Sequence, residues 1–140
     1  MRTNTHILIV DDLRTPTPDF QVPAGCDVHV ATSSDAALAH LDRICATGQT
    51  LSALYLDHDL GQTPDGRTLT IMPVVDFLVQ QAFHTHAVPV DTIFVHTSNP
   101  VGRRNIMMAL TTTRIGGAYR VIATDSAAAG LAYQQQTEHE

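Results

Sequence analysis

At 140 residues, with 44% hydrophobic and 16% charged residues, the chain has the size and make-up of one globular domain built on a single core. No stretch approaches the ~18 uninterrupted apolar residues that would suggest a membrane span. A net charge of −6 argues against a general binder of duplex nucleic acid, which needs a basic stripe for phosphates, but leaves room for a small phosphorylated ligand. Cys26 and Cys45 have no metal-ligand spacing and read as small, half-buried hydrophobes rather than a disulfide. Met1-Arg2-Thr3-Asn4 runs directly into a strand-like segment with no apolar leader, so a cytoplasmic location is expected. All eight basic residues are arginine, and there is no lysine.

The first element is a strand from His6 to Val10, followed at once by Asp11-Asp12. Pro16, Pro18 and Pro23 suppress a regular helix between Leu13 and Ala24, so that connection is expected to be irregular. Val28 to Ala31 reads as a second strand. Thr32-Ser33-Ser34-Asp35 then offers N-cap chemistry to a helix with Ala37, Leu38, Leu41 and Ile44 on one face, and Gly48 is its stop. Leu51 to Leu56 is the third strand. A polar loop from Gly61 to Met72, containing Pro64, Asp65 and Gly66, is placed to act as a lid before a helix from about Pro73 to Phe83. Thr92 to Val95 is the fourth strand, and Asn99-Pro100 opens a helix carrying Arg103, Arg104, Met107 and Leu110, which Gly116-Gly117 is expected to end. Tyr119 to Ala123 is the fifth strand, Asp125-Ser126 caps an alanine-rich last helix, and residues 134–140 form a polar tail behind a single domain of residues 1–133.

Alternating strands and helices imply an α/β domain with a mostly parallel sheet, in which ligands bind beyond the carboxyl ends of the strands. Three such ends deliver Asp11-Asp12, Asp57-His58-Asp59 and His96-Thr97-Ser98-Asn99 to one edge. Asp11, Asp12, Asp57 and Asp59 are hard oxygen ligands suited to Mg²⁺ or Mn²⁺, and clustered carboxylates with no lysine beside them call for a cation. Asp57, His58 and His96 are the catalytic candidates, because two imidazoles titrating near neutrality can divide base and acid work. Thr97, Ser98 and Asn99 are neutral donors. Arg103, one turn into the helix begun by Pro100, joins the free N–H groups of that helix start as an anion site. Neighbours on an extended strand face opposite ways, so only one of His58 and Asp59 is expected to share a side with the ligand. Asn99 reads equally as the helix cap.

Two acidic residues after the first strand and an Asp after the third resemble the receiver domain of response regulators. The resemblance narrows at Leu56-Asp57-His58-Asp59-Leu60-Gly61 and Val95-His96-Thr97-Ser98-Asn99-Pro100-Val101-Gly102, which together resemble the paired L-D-H-D-L and V-H-S-x-N-P-x-G motifs of a receiver-like family predicted to process cyclic phosphates. It spans roughly residues 7 to 110. It implies a flavodoxin-like, doubly wound, five-stranded sheet with helices on both faces, and metal-assisted opening of a cyclic phosphate at an RNA end or in a cyclic nucleotide. A signalling receiver keeps a lysine after its fifth strand, whereas Ala123-Thr124-Asp125 stands here, so phosphorelay is disfavoured.

Two other readings stay open. A non-catalytic module would bind metal, a phosphorylated ligand or a protein partner, the last through Ile106, Met107 and Leu110 on the helix after the fourth strand. A phosphotransferase would instead use Asp57 as its nucleophile. Aromatic residues are few, so stacking on a base would rely on Phe20 or an arginine plane.

Overall fold

Ile7-Leu8-Ile9-Val10, Leu54-Tyr55-Leu56 and Ile93-Phe94-Val95 are apolar at consecutive positions, the pattern of parallel strands covered on both faces. The computed structural model, which describes residues 5–11, 26–97 and 99–123, pairs them accordingly. Strands β1 (Thr5–Val10), β2 (Cys26–Ala31), β3 (Leu51–Leu56), β6 (Val90–Val95) and β7 (Val121–Ala123) form one parallel sheet in the order β2-β1-β3-β6-β7. The chain steps outward from β1 to β2 and then returns to the other side of β1 for β3. The sheet therefore has its topological switch point between β1 and β3, where ligands bind in open α/β folds.

Helices α1 (Ser34–Thr47), α2 (Met72–His84) and α3 (Pro100–Leu110) pack together over one face of this sheet. Their buried residues include Ala37, Leu41 and Ile44, Val74, Val75 and Leu78, and Ile106 and Leu110. Beneath them lie Leu8, Leu54 and Ile93 in one register row and Val10, Leu56 and Val95 in the next. The opposite face buries Ile7, Ile9, Ala53, Tyr55 and Phe94, with the Tyr55 and Phe94 rings stacked at 4.8 Å. The chain is thus a receiver-like α/β domain of the flavodoxin-like kind. The proline-rich connection, the alanine-rich last helix and the polar tail all lie outside the described residues. Among the described residues no helix is long and apolar enough to cross a membrane.

Local signals explain most boundaries. The Ser33 hydroxyl accepts the Ala36 N–H as the cap of α1, and Gly48 closes the helix in the left-handed conformation at φ 72°. Pro73 in the first turn starts α2. Four expectations need correction. The polar loop holds an antiparallel hairpin, β4 (Asp59–Gln62) with β5 (Thr68–Thr70), closed by a turn in which Gly66 donates to Thr63 and Thr63 to Arg67. The turn residues between them mask two strands too short to show an alternation. Helix α3 stops at Leu110 instead of running to Gly116-Gly117, because three consecutive threonines follow, and a 3-10 turn at Thr113–Ile115 takes over. Cys45 is exposed, since it follows buried Ile44 around α1 and so leaves the core-facing stripe. Ile106 and Leu110 are fully buried and Met107 packs against them, so this apolar face of α3 is part of the core instead of lying open.

Candidate functional site

The register row Val10, Leu56, Val95 is the last row of the central sheet, and pairing continues one residue beyond it. Asp11 N–H donates to the Ala31 carbonyl at 3.0 Å, Asp57 N–H to Val10 at 3.1 Å and His96 N–H to Leu56 at 3.0 Å. These bonds seat Asp11, Asp57 and His96 in a row across β1, β3 and β6, on either side of the switch point. Since side chains alternate along a strand, all three share the face of Ile9, Tyr55 and Phe94. The Tyr55 and His96 rings meet edge-to-face with their centroids 6.1 Å apart.

His96 is 9% exposed, and its Nε2 is buried with no hydrogen-bond partner among the described residues. Burial pushes the imidazole below its ordinary value of 6.5, while the Asp11 and Asp57 carboxylates pull the other way, burial being the larger effect. The fold therefore places a neutral imidazole beside two carboxylates.

His58 and Asp59 do something different. His58 Nδ1 lies 2.8 Å from Asp59 Oδ1, and its side chain is 12% exposed. Asn99 Nδ2 donates to the other Asp59 oxygen at 3.3 Å, while Asn99 Oδ1 accepts the Gly102 N–H at 3.0 Å as the cap of α3. Asn99 is the cap of the helix, as one reading had it, and its amide also ties that cap to Asp59. Buried Thr97 accepts the Asn99 N–H at 3.1 Å through Oγ1, and its carbonyl receives Arg103 Nη2 at 2.7 Å. The Arg103 Nε is buried with no partner among the described residues. Through these bonds the hairpin after β3 is fastened to the start of α3. Asp12 and Ser98 lie outside the described residues.

Gly102 was legible as part of a motif but without a role. Its role is spatial, because the His58 ring occupies the space that a side chain there would need. The other end of the hairpin is held as well: Ser34 Oγ donates to the Thr70 carbonyl at 2.8 Å, which joins it to the start of α1. Thr70 carries no sequence signal for this, since the bond uses its backbone. Asp65 and Arg67 at the hairpin tip are exposed and paired with each other at 3.1 Å.

A family model for the cyclic-phosphate processing receiver domain matches residues 6–112. The chain belongs to that family. Neither a curated protein nor a solved structure matches it. The matched span of this cyclic-phosphate processing receiver domain holds both the edge row Asp11, Asp57 and His96 and the lattice formed by His58, Asp59, Thr97, Asn99, Gly102 and Arg103. As for a metal, no group of three or more His, Cys, Asp or Glu side chains among the described residues is arranged to hold one. Asp11 and Asp57 still suit a hard cation by their chemistry, because Mg²⁺ is commonly held by one or two carboxylates and completes its shell with water and phosphate oxygens. Asp59 suits it less, with one oxygen on His58 and the other on Asn99.

Proposed function

We propose that this domain opens a cyclic phosphate by metal-assisted hydrolysis, at a 2′,3′-cyclic RNA end or in a cyclic nucleotide. The observation that carries the reading is His96, a buried imidazole whose Nε2 has no partner among the described residues, aligned with Asp11 and Asp57 at the carboxyl edge of the sheet. A buried polar atom without a partner is costly unless something else satisfies it, and a ligand at this edge would do so.

In this reading Asp11 and Asp57 hold Mg²⁺ or Mn²⁺, which would supply charge neutralisation at the phosphate oxygens. His96 Nε2 takes a proton from the attacking water as its oxygen bonds to phosphorus. One ring P–O bond breaks, the released ribose oxygen takes up a proton, and the product is a phosphomonoester. His58, fixed by Asp59, is the second titratable group on this edge and the candidate donor for that proton. The Arg103 guanidinium attracts the phosphate oxygens. The non-catalytic docking reading loses its main support, because Ile106 and Leu110 are core residues.

The test is hydrolysis of 2′,3′- and 3′,5′-cyclic nucleotides and of cyclic-phosphate-ended RNA, with Mg²⁺, Mn²⁺ or EDTA. Turnover by the wild type that is lost on chelation, in Asp57→Ala and in His96→Ala, is the expected result. Absence of turnover across the panel would overturn the reading.

A further inference from the structure

Beside the edge row, the hairpin and the start of α1 enclose a cavity of about 260 Å³. Ser33, Ser34 and Asp35 line it from the start of α1, Leu60, Thr68, Leu69 and Thr70 from the hairpin, and Pro73 from α2. It lies at the same carboxyl edge of the sheet as the proposed site and close to it along the chain. Leu60 directly follows Asp59, and Ser33 lies two residues beyond Ala31, whose carbonyl receives the Asp11 N–H. The Ser34 to Thr70 bond holds the start of α1 and the hairpin together.

The volume falls just below the ~300–1,000 Å³ of pockets that engulf a drug-sized ligand, so it suits one ring system rather than a whole nucleotide. Its lining includes no basic residue and does include a carboxylate, which makes it a poor place for phosphate. Leu60, Leu69 and Pro73, interspersed with hydroxyl-bearing Ser33, Thr68 and Thr70, instead match a flat, neutral heterocycle. Capping uses a lone pair of Ser33 Oγ and leaves the hydroxyl as a donor, while Asp35 can only accept.

We infer that this cavity is a nucleobase subsite that favours guanine, seating the base of a cyclic nucleotide whose phosphate lies at the Asp11, Asp57 and His96 edge. Guanine offers adjacent N–H donors to Asp35 and a carbonyl oxygen to Ser33, whereas uracil offers no such pair of donors. The leucines and Pro73 cover the ring faces. This inference rests on the proposed hydrolysis and adds its substrate preference.

The experiment compares kcat/KM for 2′,3′-cyclic GMP and 2′,3′-cyclic UMP in the wild type, Asp35→Asn and Leu69→Ala. Asp35 and Leu69 are both exposed, so neither change removes core packing. The expected result is a guanine preference on the order of ten-fold that Asp35→Asn abolishes chiefly through KM, with Leu69→Ala weakening both substrates. Hydrolysis that is indifferent to the base and to both variants would overturn the subsite alone. Failure of the wild type to hydrolyse either nucleotide would overturn the subsite, and the hydrolytic reading falls with it only if the rest of the cyclic-phosphate panel also gives no turnover.

Discussion

The ring of His58 and the backbone of Gly102 are in direct contact: a Cβ at position 102 would lie 2.3 Å from His58 Cγ and 2.7 Å from both Nδ1 and Cδ2. The hairpin and the start of α3 can therefore meet only because residue 102 has no side chain. Gly102→Ala should destabilise the domain by about 1–3 kcal/mol, the usual cost of overpacking, although Ala is otherwise the better helix former. His58→Ala should remove most of that cost when the two changes are combined, so urea denaturation of the double-mutant cycle should give a strongly favourable coupling. Additive effects would contradict the contact.

Asn99 and Ser33 cap two helices by the same bond, but only Asn99 also holds Asp59. Each change to Ala should cost about 1 kcal/mol of stability. Their effects on turnover should differ, with Asn99→Ala lowering kcat for every substrate and Ser33→Ala acting chiefly through KM for the guanine nucleotide. Asn99→Asp keeps the cap oxygen and sets a second carboxylate against Asp59. It should therefore fold better than Asn99→Ala yet fail to restore activity. Thermal melts and initial rates on one cyclic nucleotide separate the two effects.

The imidazole of His96 is held below 6.5 in the folded domain, mainly by burial. Between the folded and unfolded values the unfolded chain binds a proton that the folded one does not, so stability rises with pH there. The contribution is complete above about 6.5 and is lost as pH falls through the folded value. Melting in EDTA should show the domain weakening from pH 7 toward pH 5. His96→Asn should flatten that slope without removing it, because partly buried His40 is lowered in the same direction, chiefly by burial and then by His29. An unchanged slope in His96→Asn would mean that the imidazole is not buried as described.

Much of the fold was legible from short-range pattern. Short strand-like runs identified all five central strands, and Ser33, Gly48, Asn99 and Pro100 marked helix ends where the structure has them. The hairpin was not legible, since strands of four and three residues around a Thr-Pro-Asp-Gly turn carry too little alternation to distinguish them from a loop. The helix start of α3 was legible and its end was not, because a threonine run and a later Gly-Gly pair both signal a stop.

For the site, composition and order along the chain determined which chemistry gathers at the sheet edge: carboxylates after β1 and β3, a histidine after β6, and a capped helix start beside them. Only the tertiary structure decided how those residues divide. Strand alternation alone leaves open whether His58 or Asp59 shares a side with Asp57. The structure adds their partners, Asp59 bonding neighbouring His58 and distant Asn99, and the His58 ring lodging against Gly102. Burial of His96 and the cavity between α1 and the hairpin also arise from segments far apart in sequence, and no local pattern encodes a distance between them.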